Sequence, residues 1–155
     1  MSVKLVRAGA EDAERLWKMQ VSAFSELYNK YKDTETSPAA EPLEKVKARL
    51  LQPFTFFYYI VDDGTTVGAI RIVDHKDGTC KRISPVFIMP EFRNRGYTQA
   101  AIMATEALHG SSNWFHDTIL QEGMNCHLYE IMGYHQTSTQ RIINENMTLI
   151  DFCKD

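Results

Sequence analysis

The chain has 155 residues, enough for one domain with a substantial core. Hydrophobic and charged fractions of 44% and 24% suit an ordinary globular protein, and a net charge of −3 argues against a dedicated nucleic-acid binder, which carries a basic excess. No apolar run is long enough to span a bilayer, no signal-peptide pattern opens the chain, and the three cysteines form no CxxC pair. A cytoplasmic protein with reduced thiols is therefore expected, with no membrane partner, no nucleic acid and no bound metal.

Val3 to Val6 reads as a strand. Ala13, Leu16, Trp17, Val21, Phe24, Leu27 and Tyr28 recur at helical spacing, with Glu11 and Asp12 in the first turn, where acidic groups complement the helix dipole. Asn29 to Ala40 has no period and reads as a loop, and residues 26 to 44 carry Glu26, Asp33, Glu35, Glu41 and Glu44 against Lys30 and Lys32, an acidic excess that reads as solvated or, alternatively, as a field attracting a cationic amine. Pro42 opens a second helix carrying Leu43, Val46 and Leu50 on one narrow face, ending before Pro53. Thr55 to Val61 and Val67 to Val73 are strands joined through Asp62-Asp63-Gly64, and Lys76-Asp77-Gly78 leads into a third strand ending near Ile88. Beyond a basic turn, Tyr97, Ala100, Ala101, Ala104, Ala107 and Leu108 share a helical face that would pack on the sheet. Trp114 to Leu120 is the next strand, Asn125 to Met132 a short helix stopped by Gly133, and the strands Tyr134 to Ile143 and Met147 to Phe152 close the chain. The order is β-α-α-β-β-β-α-β-α-β-β, an α/β chain with a mixed sheet, one parallel crossover over residues 83 to 120, and no internal repeat. A ligand crevice is expected beside the carboxyl ends of the crossover strands.

The stretch Ile83 to Thr98, ISPVFIMPEFRNRGYT, falls at that crevice. The first turn of a helix leaves amide groups without intrahelical partners at the positive end of the dipole. Gly96 would let an anion approach the main chain, and Arg93 and Arg95 add charge, so the segment reads as a pyrophosphate cradle. An ordinary strand–helix connection with solvated arginines is the plain alternative.

Arg93-Asn94-Arg95-Gly96-Tyr97-Thr98 together with Leu128-Tyr129-Glu130-Ile131-Met132-Gly133-Tyr134 resembles two signatures of the GNAT superfamily of N-acetyltransferases, in the right order and separated by one helix and one strand. The resemblance covers essentially the whole chain and implies the GNAT-like fold, with an acetyl group moved from acetyl-CoA to an amine. It implies that Phe87, Ile88 and Met89 offer main-chain groups to the acetyl carbonyl and the pantetheine amides. It further implies that Arg93, Asn94, Arg95, Gly96, Tyr97, Thr98 and Gln99 hold the pyrophosphate, chiefly through backbone amides. Thr98 stands where the family carries Gly or Ala; its hydroxyl either donates to a phosphate or crowds it. Tyr129 aligns with the tyrosine that protonates the departing thiolate.

No base is singled out: His116, Glu35, Asp33, Glu122 and a water chain all qualify, while His75, His109, His127 and His135 read as surface or packing residues. The acceptor is a small-molecule or peptide amine, recognised by the first two helices, their connection and the last hairpin. Exposed strand edges make a homodimer an expectation as well. A cysteine nucleophile at Cys126 is disfavoured, because the adjacent His127 projects about 100° away on a helix. A phosphate-binding P-loop is excluded, as no GxxxxGK[ST] occurs. The rival that survives is a non-catalytic acyl-CoA-binding domain of the same fold.

Overall fold

The computed structural model describes residues 1–155. Seven strands form one sheet: β1 (Val3–Arg7), β2 (Thr55–Asp62), β3 (Thr65–Val73), β4 (Lys81–Ile88), β5 (Trp114–Ile119), β6 (His135–Asn144) and β7 (Met147–Lys154), in the spatial order β1-β2-β3-β4-β5-β7-β6. Four helices cover it: α1 (Ala13–Tyr31), α2 (Leu43–Leu50), α3 (Tyr97–His109) and α4 (Gly123–Ile131). The element order is the one read from the sequence, with boundaries shifted by one or two residues. Only β4 and β5 run parallel; every other pair is antiparallel.

Strand alternation divides the core between the two faces. Ile70, Ile72, Ile83, Trp114 and Phe152 pack with α3 and α4, whereas Phe57, Tyr59, Ala69 and Phe87 pack with Leu16, Ala23 and Val46 of α1 and α2. On α3 the buried positions are Tyr97, Ala101, Ile102 and Thr105, while Leu108 is 60% exposed. The alanine-rich face expected from the sequence is thus turned partly outward. Thr105 goes inward because its hydroxyl donates to the Ala101 carbonyl at 2.8 Å and leaves no orphaned donor in the core.

The segment after α1 is ordered by buried polar groups instead of being solvated. Lys32 ends the helix in the left-handed region, at φ 55°. Asp33, 2% exposed, accepts from the Glu35 and Thr36 amides and from the Thr36 hydroxyl. Gln20, fully buried on α1, donates to the Pro38 carbonyl at 2.9 Å and to Glu41 at 2.8 Å. Glu41 in turn holds Arg49 through two bonds of 2.9 and 2.8 Å. The acidic side chains here are therefore largely structural partners, and they fix one wall of the crevice.

Candidate active site

The pairing of β4 with β5 covers just two residue pairs, Lys81 with Trp114 and Arg82 with Phe115, after which the strands part. Two local features account for the split. Opposite Arg71 of β3, Ser84 and Pro85 share one register position, and Pro85 has no N–H to lend to a ladder. On β5, the His116 ring occupies the next rung: its Nδ1 donates to the Ile83 carbonyl at 2.9 Å, a job that a strand amide would otherwise do. Because a carbonyl only accepts, this bond places the proton on Nδ1 and leaves Nε2 as a bare lone pair. Burial lowers the His116 pKa against the pull of that bond, so the ring is neutral. His116, a candidate base in the sequence, is a buried wedge between strands.

The split opens a crevice of about 700 Å³ that reaches both faces of the sheet. One rim is the end of β4. The Met89 amide donates to Val67 at 2.8 Å, and Phe87 pairs with Ala69, so these two residues turn their main-chain groups toward β3. Alternation then sends the groups of Val86 and Ile88 into the split, where β5 no longer pairs with them. Of the three strand residues named from sequence, Ile88 alone presents its backbone here, and Val86 was missed. The resemblance named three consecutive residues of the strand end, and consecutive residues cannot all turn their main-chain groups to the same side.

The second rim is the start of α3. Asn94 and Gly96 adopt left-handed conformations, at φ 63° and 83°, around Arg95, which makes the concave run of amides typical of an anion nest. The amides of Arg95, Gly96, Tyr97, Thr98 and Gln99 find no acceptor in the protein; the first α3 bond runs from Ala100 to Gly96, at 3.1 Å. Five free N–H groups at the positive end of a 13-residue helix fit a pyrophosphate. Thr98 lies on this turn, lines the crevice and makes no hydrogen bond, so its hydroxyl is free to join them.

The two arginines of the turn behave differently from one another. Arg93 points inward: it donates to the Ile88 carbonyl (3.2 Å), the Ala23 carbonyl of α1 (2.5 Å) and Glu26 (3.2 Å). It clips the turn to the β4 end and to α1. Arg95 makes one bond, to the Glu91 carbonyl at 3.2 Å, and remains exposed. Tyr97 is buried and donates to Asp62 at 2.5 Å, which anchors the helix start against the end of β2.

Tyr129, on α4, forms the opposite wall. Its ring is 4% exposed and is held by three neighbours, His116, Tyr134 and Phe152, at centroid distances of 4.3, 5.8 and 5.8 Å. The hydroxyl makes no hydrogen bond within the protein, and the residue lines the crevice. Burial, with small additions from Tyr134 and Asp117, pushes its pKa well above the usual phenol value, so the proton stays on. A fixed ring carrying a permanently protonated, unpartnered hydroxyl is a positioned donor.

The other candidate bases are otherwise engaged. Glu122 bridges α1 and α4, accepting from Tyr31 at 2.5 Å and from Lys30 at 2.8 Å. Burial works to raise its pKa, but those two bonds outweigh it and hold the group below 4.5. Asp33 caps its turn, and Glu35 is exposed outside the crevice. Two further charged residues line the acceptor face and were missed in the sequence, Arg82 and Asp117. The alternation of Trp114-Phe115-His116-Asp117 carried the signal, since it sends Asp117 to the face opposite His116. His109 is also more than surface packing. Its side chain is 3% exposed and links Tyr58 (2.9 Å) to Asp74 (2.8 Å) beneath the far end of α3.

A parallel strand pair split at its carboxyl ends, beside a helix start with free amides, suits a phosphate-bearing ligand with an extended arm, and the comparisons with known proteins identify the class as the acetyl-CoA-dependent acyltransferases. Within that class the chain belongs to the acetyltransferase (GNAT) family, whose model matches residues 14–134. The structure is similar to the PaiA N-acetyltransferase of Thermoplasma acidophilum in complex with coenzyme A, with a TM-score of 0.75, 14% identity and 100% of both chains covered. It is similar to a spermidine N-acetyltransferase of Vibrio cholerae in complex with CoA and spermine (TM-score 0.73, 10% identity, 97% of this chain and 94% of that one). It is also similar to apo YjaB of Escherichia coli, with a TM-score of 0.67, 14% identity, and 99% and 98% covered. At these identities the likeness is one of fold. Among curated protein sequences, none matches the chain. No helix is long and apolar enough to cross a membrane.

Proposed function

We propose that the protein acetylates a small-molecule or peptide amine by direct attack on acetyl-CoA in the crevice between β4 and β5. The observation that carries this reading is that four residues with free helix-start amides, Gly96 to Gln99, and Tyr129 with its unpartnered hydroxyl line one cavity. The amides from Arg95 to Gln99, with the Thr98 hydroxyl, hold the pyrophosphate; Arg93 fixes the turn and Asn94 shapes it. The main-chain amides of Val86 and Ile88 and the Val86 carbonyl receive the extended pantetheine arm as an added strand would be received, and the amides polarise the acetyl carbonyl. Phe87 and Met89 carry that strand end through their pairing with β3.

Acetyl-CoA supplies the activated acyl group as a thioester. The neutral amine nitrogen forms a bond to the carbonyl carbon, and the carbon–sulfur bond breaks with its electron pair left on sulfur. Tyr129 donates its hydroxyl proton toward that sulfur, and the surplus proton on nitrogen leaves to water at the open mouth of the crevice. Phenolate is strongly disfavoured in this buried position, so Tyr129 regains its proton once the thiol departs.

Tyr129→Phe tests the assignment, since it keeps the ring packing and removes one oxygen. Turnover is expected to fall by at least about 100-fold while acetyl-CoA affinity changes by less than about twofold. Equal losses in both would overturn the acid role.

A further inference from the structure

The acceptor face of the crevice is not simply acidic. Four carboxylates line the crevice, those of Glu26, Asp33, Asp117 and Glu122. Glu26 pairs with Arg93, Asp33 caps its own turn, and Glu122 is held by Lys30 and Tyr31. Asp117 alone is loosely held, its Oδ2 lying 3.4 Å from Nη2 of Arg82. Arg82 is itself poorly satisfied: that contact is its one ion pair, and its Nε is shut off from solvent without a partner. The guanidinium lies over the Phe115 ring at 5.3 Å, which holds it beside the strand split. Arg71, 8% exposed, sits on the adjacent strand and donates to neutral oxygens of Ser84, Gln52 and Thr55. Its charge therefore adds to the positive field around Arg82. Arg141, which also lines the crevice, forms no ion pair.

On the other side of Asp117, the register places Asp151 of β7 directly opposite. Like charges at opposed positions on one sheet face destabilise the fold, and burial together with Asp117 raises the Asp151 pKa. The crevice thus sets the Arg82 guanidinium beside the loosely held Asp117 carboxylate, with Asp151 behind it on β7.

Resting on the acetyltransferase reading, we propose that Arg82 and Asp117 form the acceptor subsite for an amine of the α-amino acid class, the acceptor carboxylate binding Arg82 and its amino group, made neutral by loss of a proton to water before attack, donating to Asp117. The fit is geometric. A carboxylate and an amino group on one carbon are about as far apart as the Arg82 and Asp117 heads, so the acceptor inserts antiparallel to that pair. The terminal nitrogens of the part-exposed Arg82 fork match a planar carboxylate, which an ammonium-only ligand cannot supply. A polyamine would meet one available carboxylate between two guanidinium groups, an arrangement that repels it.

The experiment compares matched acceptors at saturating acetyl-CoA, following release of the CoA thiol: free α-amino acids, their decarboxylated amines and their carboxamides. Free amino acids are expected to exceed both relatives in kcat/KM by at least about tenfold, the range of one charge-assisted hydrogen bond. Arg82→Gln is expected to reduce that preference to less than about threefold, chiefly through KM, and Arg82→Lys to restore part of it. Amines without a carboxylate turned over as well as, or better than, amino acids would overturn the proposal and leave the acetyltransferase reading standing. A preference that survives Arg82→Gln would overturn the assignment to Arg82. Acetyl-CoA binding without turnover of any amine would overturn both readings. Should the variant fail to fold, the wild-type comparison decides alone.

Discussion

Gly96→Ala separates the backbone requirement of the cradle from its ligand requirement. Gly96 sits at φ 83°, where an L-residue is strained by about 1–2 kcal/mol, so the folded state should lose roughly that much. For a chain of this size such a loss lowers Tm by roughly 2–8 °C. Inside the protein the new methyl meets only the flexible Met1 Cε, at 3.9 Å. It projects into the open space beside the free amides, where a phosphate oxygen would approach. Losing one such bond to a charged oxygen costs about 1.5–3 kcal/mol, or about 10- to 150-fold in affinity. Gly64→Ala is the control, because Gly64 has the same φ of 83° with nothing within 4 Å of the added carbon, in the hairpin between β2 and β3. Calorimetric titration with CoA and thermal melts of both variants provide the readout. Both variants should melt lower, and Gly96→Ala alone should lose CoA binding. A folded Gly96→Ala protein that binds CoA as the wild type does would refute the cradle.

Three further outcomes follow from the packing. Arg93→Met removes the clip to Ala23 and Ile88 and should cost about 1–3 kcal/mol in chemical denaturation, with a smaller loss in CoA affinity; the reverse ranking would make Arg93 a phosphate ligand instead. Glu122 has a depressed pKa in the fold, so its contribution is present above its unfolded value near 4.5 and fades as pH falls through the lower folded value. The stability gap between wild type and Glu122→Gln should accordingly shrink on acidification below about pH 4.5, and a constant gap would contradict the Lys30–Glu122–Tyr31 linkage. His109→Phe leaves Asp74 buried without its ring partner and should lower stability by about 2–3 kcal/mol in denaturant melts, while His127→Phe, at an exposed position, should not.

Much of this architecture was legible along the chain because local signals agreed with the global fold. Paired turn residues at Asp63-Gly64 and at Asp77-Gly78 set the three-stranded meander, and Gly96 marked the helix start that became the cradle. Side-chain direction was harder to read. Alanines score as apolar on either face of a helix, so Thr105, whose hydroxyl is satisfied by its own helix, was not recognised as the buried residue. Charge was read as solvation in the segment after α1, although Gln20 reaches Pro38 and Glu41 from another element and Asp33 is satisfied by the amides of its own turn. At the end of β4 the resemblance named Phe87, Ile88 and Met89 as a run, and which of them face the split depends on the pairing with β3, which a family motif does not carry. Arg82 and Asp117 belong to different strands whose parallel pairing lasts two residues, so their meeting is a property of the split and not of either segment.

A crevice that brings an acetyl thioester and an amine together beside Tyr129 must release thiol only when the amine is present. Incubating the protein with acetyl-CoA and a broad amine panel, while following free CoA thiol and the acetylated amine together, tests it most directly. Thiol release is expected to require an amine, to match the acetylated product one for one, and nearly to vanish in Tyr129→Phe. Tight acetyl-CoA binding with no amine-dependent thiol release would contradict it and make the crevice a binding site alone.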